Sequence, residues 1–288
     1  MYTFKANLRA IRPTQLYISE KKYRDCLALF EQQGFDVNEP LPIKKIGRDV
    51  FFTDGHTRAL ILWQNGKRRV NVYYEPDDLD WIMYLENLEW CRTRKIGSIQ
   101  DLAARITSEQ AYQEKWLKCC SESQARLLEN PLADLVIDFE KDHRAKSLLC
   151  EEILRSLPQW FGIEEAIREY TEKVKELPFV TATLYGKVIG FCAVSVNYGI
   201  NADLYVLAIF EEFHGRGIGT RMIEFVTAYC QQNAIPYMTV KTLSERHPDQ
   251  NYQKTRRFYE KCGFRAFEEF PTLWGEGNPC LYMLKEVK

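Results

Sequence analysis

Over residues 20–33 apolar side chains return every three to four positions, so Tyr23, Leu27 and Phe30 share one face of a predicted helix that Ser19 caps and Gly34 ends. The period then shortens to two. Residues 42–46 and 49–53 are predicted strands, Asp54-Gly55 turns the chain into a helix over 57–64, Gly66 stops it, and 69–74 is a further strand. From 78 to about 130 the pattern is helical, broken at Gly97 and rich in large aromatics (Trp81, Tyr84, Trp90, Tyr112, Trp116), until Asn130-Pro131 closes it. Beyond Pro131 come a strand (134–139), two helices around Leu157–Gly162, strands 180–185 and 188–196 joined by a turn at Gly186, and a strand at 203–209. A helix (217–233), a strand (237–242), a helix (252–262) and strands 264–270 and 280–286 complete the order. This order predicts an α/β chain of two domains, 1–130 and 131–288.

Composition narrows the partners. A chain of 288 residues with 45% hydrophobic content buries more than one core. Lysine and arginine (39) balance aspartate and glutamate (40), so the net charge of −1 draws in neither nucleic acid nor an anionic membrane. The densest basic run, Lys67-Arg68-Arg69, reads as the solvated edge of a strand. No stretch reaches the ~20 apolar residues of a membrane helix. Met1–Arg12 carries Lys5, Arg9 and Arg12 with no apolar run behind them, unlike a secretory leader. Nine cysteines without paired spacing read as reduced core thiols in a cytoplasmic protein. With no Cys-x-x-Cys and histidines scattered at 56, 143, 214 and 247, no metal is expected.

The sharpest chemical signal is His214-Gly215-Arg216-Gly217-Ile218-Gly219-Thr220, between an apolar strand and an amphipathic helix. Glycines let the main chain curl so that several N–H groups converge where the helix dipole is positive, a cradle for a diphosphate. A plain strand-to-helix turn is the alternative. The segment resembles the R/Q-x-x-G-x-G/A motif of GNAT acetyltransferases, and Tyr252-Gln253-Lys254-Thr255-Arg256-Arg257-Phe258-Tyr259-Glu260-Lys261-Cys262-Gly263-Phe264 resembles their second motif. The likeness covers about 134–287, including Lys241-Thr242-Leu243 and Glu268–Trp274, with His214 where the family usually has glutamine or arginine.

The resemblance implies a mixed, mostly antiparallel sheet flanked by helices, acetyl-coenzyme A as co-substrate, and direct attack of an amine on the thioester. It places Tyr259 as the acid that reprotonates the thiolate, a core tyrosine being the alternative. Asp203 falls near the family's base, with a structural strand-start aspartate as the alternative. The main chain of Leu207, Ala208 and Ile209 is implied to pair with the pantetheine amides. Tyr252 and Thr255 are implied to lie along the same arm, Tyr252 standing where many relatives carry asparagine. Trp160, Phe161 and Trp274 are candidates for the wall of an amine pocket, or for packing alone. The acceptor is expected to be a small amine or an amine of a peptide or nucleoside. The competing reading is a non-catalytic coenzyme A sensor or a nucleotide- or DNA-binding regulator. Neither the acceptor nor the oligomeric state is legible.

In the front half, Asp54, Gly55, His56, Thr57 and Arg58 stand at a strand-to-helix junction suited to a phosphate. The segment resembles the core motif of the ParB/sulfiredoxin-like fold over about 8–76, which implies a smaller α/β domain followed by helices and a nucleotide phosphate as ligand. His56 stands where sulfiredoxin chemistry needs cysteine, so reductase activity is not expected, and a scaffold without ligand is the alternative. Residues 98–118 resemble the start of a helix-turn-helix, but no second helix is readable and Asp101, Glu109 and Glu114 dilute the charge, which disfavours DNA.

Overall fold

Regular structure opens with a strand, Phe4–Asn7 (β1), too short to register in the periodicity. The computed structural model describes residues 2–35 and 39–288. Contacts divide the chain into two units, Met1–Asp134 with Leu184–Gly186, and Leu135–Thr183 with Lys187–Lys288.

In the first unit β1 is followed by Ile18–Ser19 (β2) and by Glu20–Gln33 (α1), whose first turn is capped by the Ser19 hydroxyl and whose last is ended by Gly34, as the pattern predicted. Leu41–Ile46 (β3), Asp49–Phe52 (β4), His56–Gln64 (α2) and Arg69–Tyr74 (β5) come next. The four-stranded sheet runs β1-β5-β3-β4, with β3 parallel to β5 and the other pairs antiparallel. Trp81–Thr93 (α3) is followed by a 3-10 stretch and by Ile106–Thr107 (β6), which pairs with β2 where the sequence predicted only helix. Glu109–Tyr112 (α4) and Lys118–Glu129 (α5) are joined through a π turn. Leu8, Ile18, Phe52, Ile61 and Val72 centre this unit's core, and the aromatics Tyr112 and Trp116 face it.

The second unit contains Val136–Glu140 (β7), His143–Arg155 (α6), Glu164–Lys173 (α7), Phe179–Leu184 (β8), Lys187–Asn197 (β9) and Asn201–Ile209 (β10). Ile218–Gln232 (α8), Tyr237–Leu243 (β11), Gln250–Lys261 (α9), Arg265–Phe270 (β12) and Cys280–Glu286 (β13) follow. Helix α9 starts two residues earlier than predicted because the Asp249 carboxylate accepts the amides of Asn251 and Tyr252. The seven strands run β12-β13-β11-β10-β9-β8-β7, and the β10–β11 pair, bridged by α8, is parallel. The sheet is thus mixed, mostly antiparallel and flanked by helices, as expected. Phe179 and Phe191 stack at 4.8 Å with no exposure, each side chain contributing about 2 kcal/mol of burial. The Met238 sulfur accepts the Thr227 hydroxyl of α8, so α8 covers one face of β11 and the residues one step away, Thr239 and Lys241, turn to the other.

Among the described residues no helix is long and apolar enough to cross a membrane, and no three potential metal ligands come together. All nine cysteines are free thiols.

Candidate functional site

The centre of the second sheet comes apart at one place. Strands β10 and β11 pair from Asn201↔Tyr237 to Leu204↔Val240, while β10 stays on β9 as far as Ile209↔Gly190. The main chain of Leu207, Ala208 and Ile209 therefore has a strand on one side only. Gly190 permits the tight side of this arrangement, since a Cβ there would lie 2.7 Å from the Ile209 side chain and 3.1 Å from the Ala208 carbonyl. The Ile209 carbonyl is taken by the His214 ring, 2.7 Å away; a carbonyl only accepts, so Nε2 carries the proton.

After Ile209 the chain reaches α8 through Gly215 (φ +74°) and Gly217 (φ +84°), left-handed conformations that other residues adopt only under strain. Gly217 is the N-cap, and no side chain caps the first turn, so the amides of Ile218, Gly219 and Thr220 stand at an uncapped helix start. Gly219 is needed for contact: a Cβ would lie 2.9 Å from the Phe258 ring. The Arg216 guanidinium folds back on the Glu212 carbonyl.

The loop between α6 and α7 docks on this turn. Trp160 presents its ring edge-on to His214 at 5.5 Å, its indole N–H donates to the Thr255 hydroxyl at 3.3 Å, and its carbonyl accepts the Tyr252 hydroxyl at 2.9 Å. Trp160, His214, Tyr252 and Thr255 are thus one cluster. The Tyr252 hydroxyl is thereby committed to the Trp160 main chain. Burial, with Tyr170 and Asp249 nearby, pushes that phenol up to about 12. Trp274 does not join them. It is 40% exposed and makes no ring contact among the described residues.

Tyr259 lies between Phe258 and Phe264, with ring centroids 5.1 and 5.7 Å away, and is 6% exposed. Burial raises its pKa, so the phenol holds its proton, and the charge of Asp203 acts in the same direction. Asp203 itself is buried: one carboxylate oxygen accepts the Thr239 hydroxyl at 3.0 Å and the other the Lys241 ammonium at 2.8 Å. Thr239 in turn accepts from Asn201 and from Tyr282. This network leaves no local signal in the sequence, because Asp203, Thr239, Lys241 and Tyr282 meet only through strand register.

Phe161, a candidate wall residue, belongs to a second aromatic group whose other two members carry no sequence signal. Phe161 meets Tyr170 edge-on at 6.0 Å, and Tyr170 meets Tyr205 edge-on at 5.4 Å. Tyr205 occupies an irregular step of β10, between Leu204 and Val206, and such bulges re-aim a side chain. Burial first and the Glu169 carboxylate second push Tyr205 up to about 12.

In the first unit, Gly55 (φ +78°) is the uncapped N-cap of α2, as a phosphate site needs. The side chains do not follow. His56 turns inward, accepts the Thr14 amide at 3.0 Å on Nε2 and is lowered to about 4 by burial. Arg58 pairs with Glu39 at 3.0 Å and lies over Gly55. Asp54 is exposed and Thr57 half-buried.

Residues 175–266 match the family described as an acetyltransferase (GNAT) domain. An uncharacterized N-acetyltransferase of Chlorobaculum tepidum is 25% identical over 121 residues, 41% of this chain and 70% of that protein. Another from Methanocaldococcus jannaschii is 26% identical over 114 residues, 38% of this chain and 65% of that one. Among solved structures, a GNAT-family acetyltransferase from Desulfovibrio desulfuricans superposes with a TM-score of 0.48 at 20% identity, covering 54% of this chain and 99% of the other. One from Elizabethkingia anophelis with acetyl-CoA bound has a TM-score of 0.44 at 14% identity, covering 54% and 99%. The glycine turn, the parted strands and the helix carrying Tyr259 all fall within 175–266, and this stretch is a GNAT acetyltransferase domain of an acyltransferase enzyme.

Proposed function

We propose that the enzyme transfers an acetyl group from acetyl-coenzyme A to a primary amine of a small molecule. The observation that carries this reading is the uncapped start of α8 beside the main chain that β10 leaves without a neighbour. Amides 218–220 bind the diphosphate, and Leu207, Ala208 and Ile209 pair with the arm as an added strand pairs with an edge. The co-substrate supplies a thioester-activated acetyl group. Trp160, held by Tyr252 and Thr255, closes the arm's side of the turn. Tyr259 keeps its proton until a negative sulfur forms beside it, then gives it up. Asp203, already clasped by Thr239 and Lys241, would have to surrender its ion pair to take a proton, so its part is to fix the local field while the amine proton leaves through water. The first unit's junction at Gly55 retains a main-chain phosphate role, with the side chains of His56 and Arg58 occupied elsewhere.

Tyr259→Phe tests the chemistry. It is expected to lower kcat in a thiol-release assay by about 10²-fold or more while leaving coenzyme A affinity, measured by calorimetry, unchanged. A wild-type chain that binds no coenzyme A, or a variant with full kcat, removes the reading.

A further inference from the structure

The site holds two kinds of negative charge. Asp203 is paired with the Lys241 ammonium at 2.8 Å, so its charge is balanced by a direct partner. Glu169, on α7 next to Tyr170, has no ion pair or hydrogen bond among the described residues, while its neighbours Glu164 and Glu172 are paired with Arg155 and Lys175. Its charge is felt by the rings of both Tyr170 and Tyr205. Tyr170 and Tyr205 are both half-buried residues, and Phe161 packs edge-on against Tyr170.

An aromatic wall beside an unpaired carboxylate stabilises a cation. The amine that is to be acetylated must become neutral to attack, so a place that stabilises an ammonium works against that step if the reacting nitrogen sits there. The wall is therefore useful to a different nitrogen of the same molecule. Resting on the transferase reading, we propose that Tyr170, Tyr205 and Glu169 anchor a second amine of the acceptor in its protonated form, and that the acceptor class is small diamines and polyamines. The neutral Asp203–Lys241 end receives the reacting nitrogen, and the negative end receives the one that stays protonated.

Calorimetric titration of the full chain with coenzyme A present, using 1,4-diaminobutane and butylamine, reads the anchor without turnover. Wild type is expected to bind the diamine about tenfold more tightly. Glu169→Gln, an exposed helical position, should bring the two amines to within about twofold. Tyr205→Leu should do the same, with its melting temperature recorded alongside. In turnover, Glu169→Gln should raise KM for the diamine and leave kcat and the butylamine values in place. Equal binding of the two amines by wild type, or a preference that survives Glu169→Gln, overturns the anchor. Thiol release that treats both amines alike removes the anchor and leaves the transferase. Diamine preference without any thiol release removes the transferase and leaves the anchor.

Discussion

At the scale of single residues, the inward turn of His56 has a measurable cost. Its ring accepts the Thr14 amide in a fully buried place, and its folded-state pKa of about 4 lies below the ordinary 6.5. Between these values the unfolded chain takes up a proton that the folded chain refuses. The contribution is intact above pH 6.5 and is lost as pH falls towards 4, on the order of 3 kcal/mol. Glutamine at this position can still accept the amide and does not titrate, so the stability gap between wild type and His56→Gln, from urea midpoints, should narrow by that amount from pH 7 to pH 4. A constant gap refutes the assignment. Thr242 offers the opposite case, since its hydroxyl is buried with no hydrogen-bond partner and the residue is 2% exposed. Thr242→Val removes an unsatisfied polar group and keeps the branched shape, so the melting temperature should rise, by the equivalent of about 1 kcal/mol. A fall would mean that the hydroxyl has a partner.

At the scale of elements, the loop between α6 and α7 and the start of α9 behave as one piece with the glycine turn, through Trp160. Trp160→Ala leaves Thr255 and His214 without their neighbour, and the main chain they steady becomes costlier to order. KM for acetyl-coenzyme A is expected to rise about three- to tenfold with little change in kcat, and Tyr252→Phe should move it less in the same direction. An unchanged KM in both variants separates the loop from cofactor binding. Elements of this kind were legible in outline. The caps at Ser19 and Gly34 and the strand at 69–74 follow from local chemistry and came out as predicted. The two-residue pair of Ile18–Ser19 with Ile106–Thr107 did not, because a pairing that short is made by tertiary contact and leaves no period in the sequence.

At the scale of the whole molecule, the glycine turn could be found from sequence because its residues are consecutive. The surroundings of Asp203 could not, because Thr239, Lys241 and Tyr282 are brought to it by register across three strands. The same holds for Tyr205, whose aim depends on one irregular step in β10. The near balance of positive and negative residues leaves no strong overall field, so the proposed anchor depends on a local one, that of Glu169. The parting of β10 from β11 has a further consequence. Unsatisfied main chain at the rim of a sheet recruits strands from other molecules and leads to aggregation. Here the bare stretch keeps β9 on one flank, and β11, after leaving β10, continues on β13, so the free rim lies inside the sheet rather than at its outer edge, a place suited to the slender, amide-bearing guest proposed above.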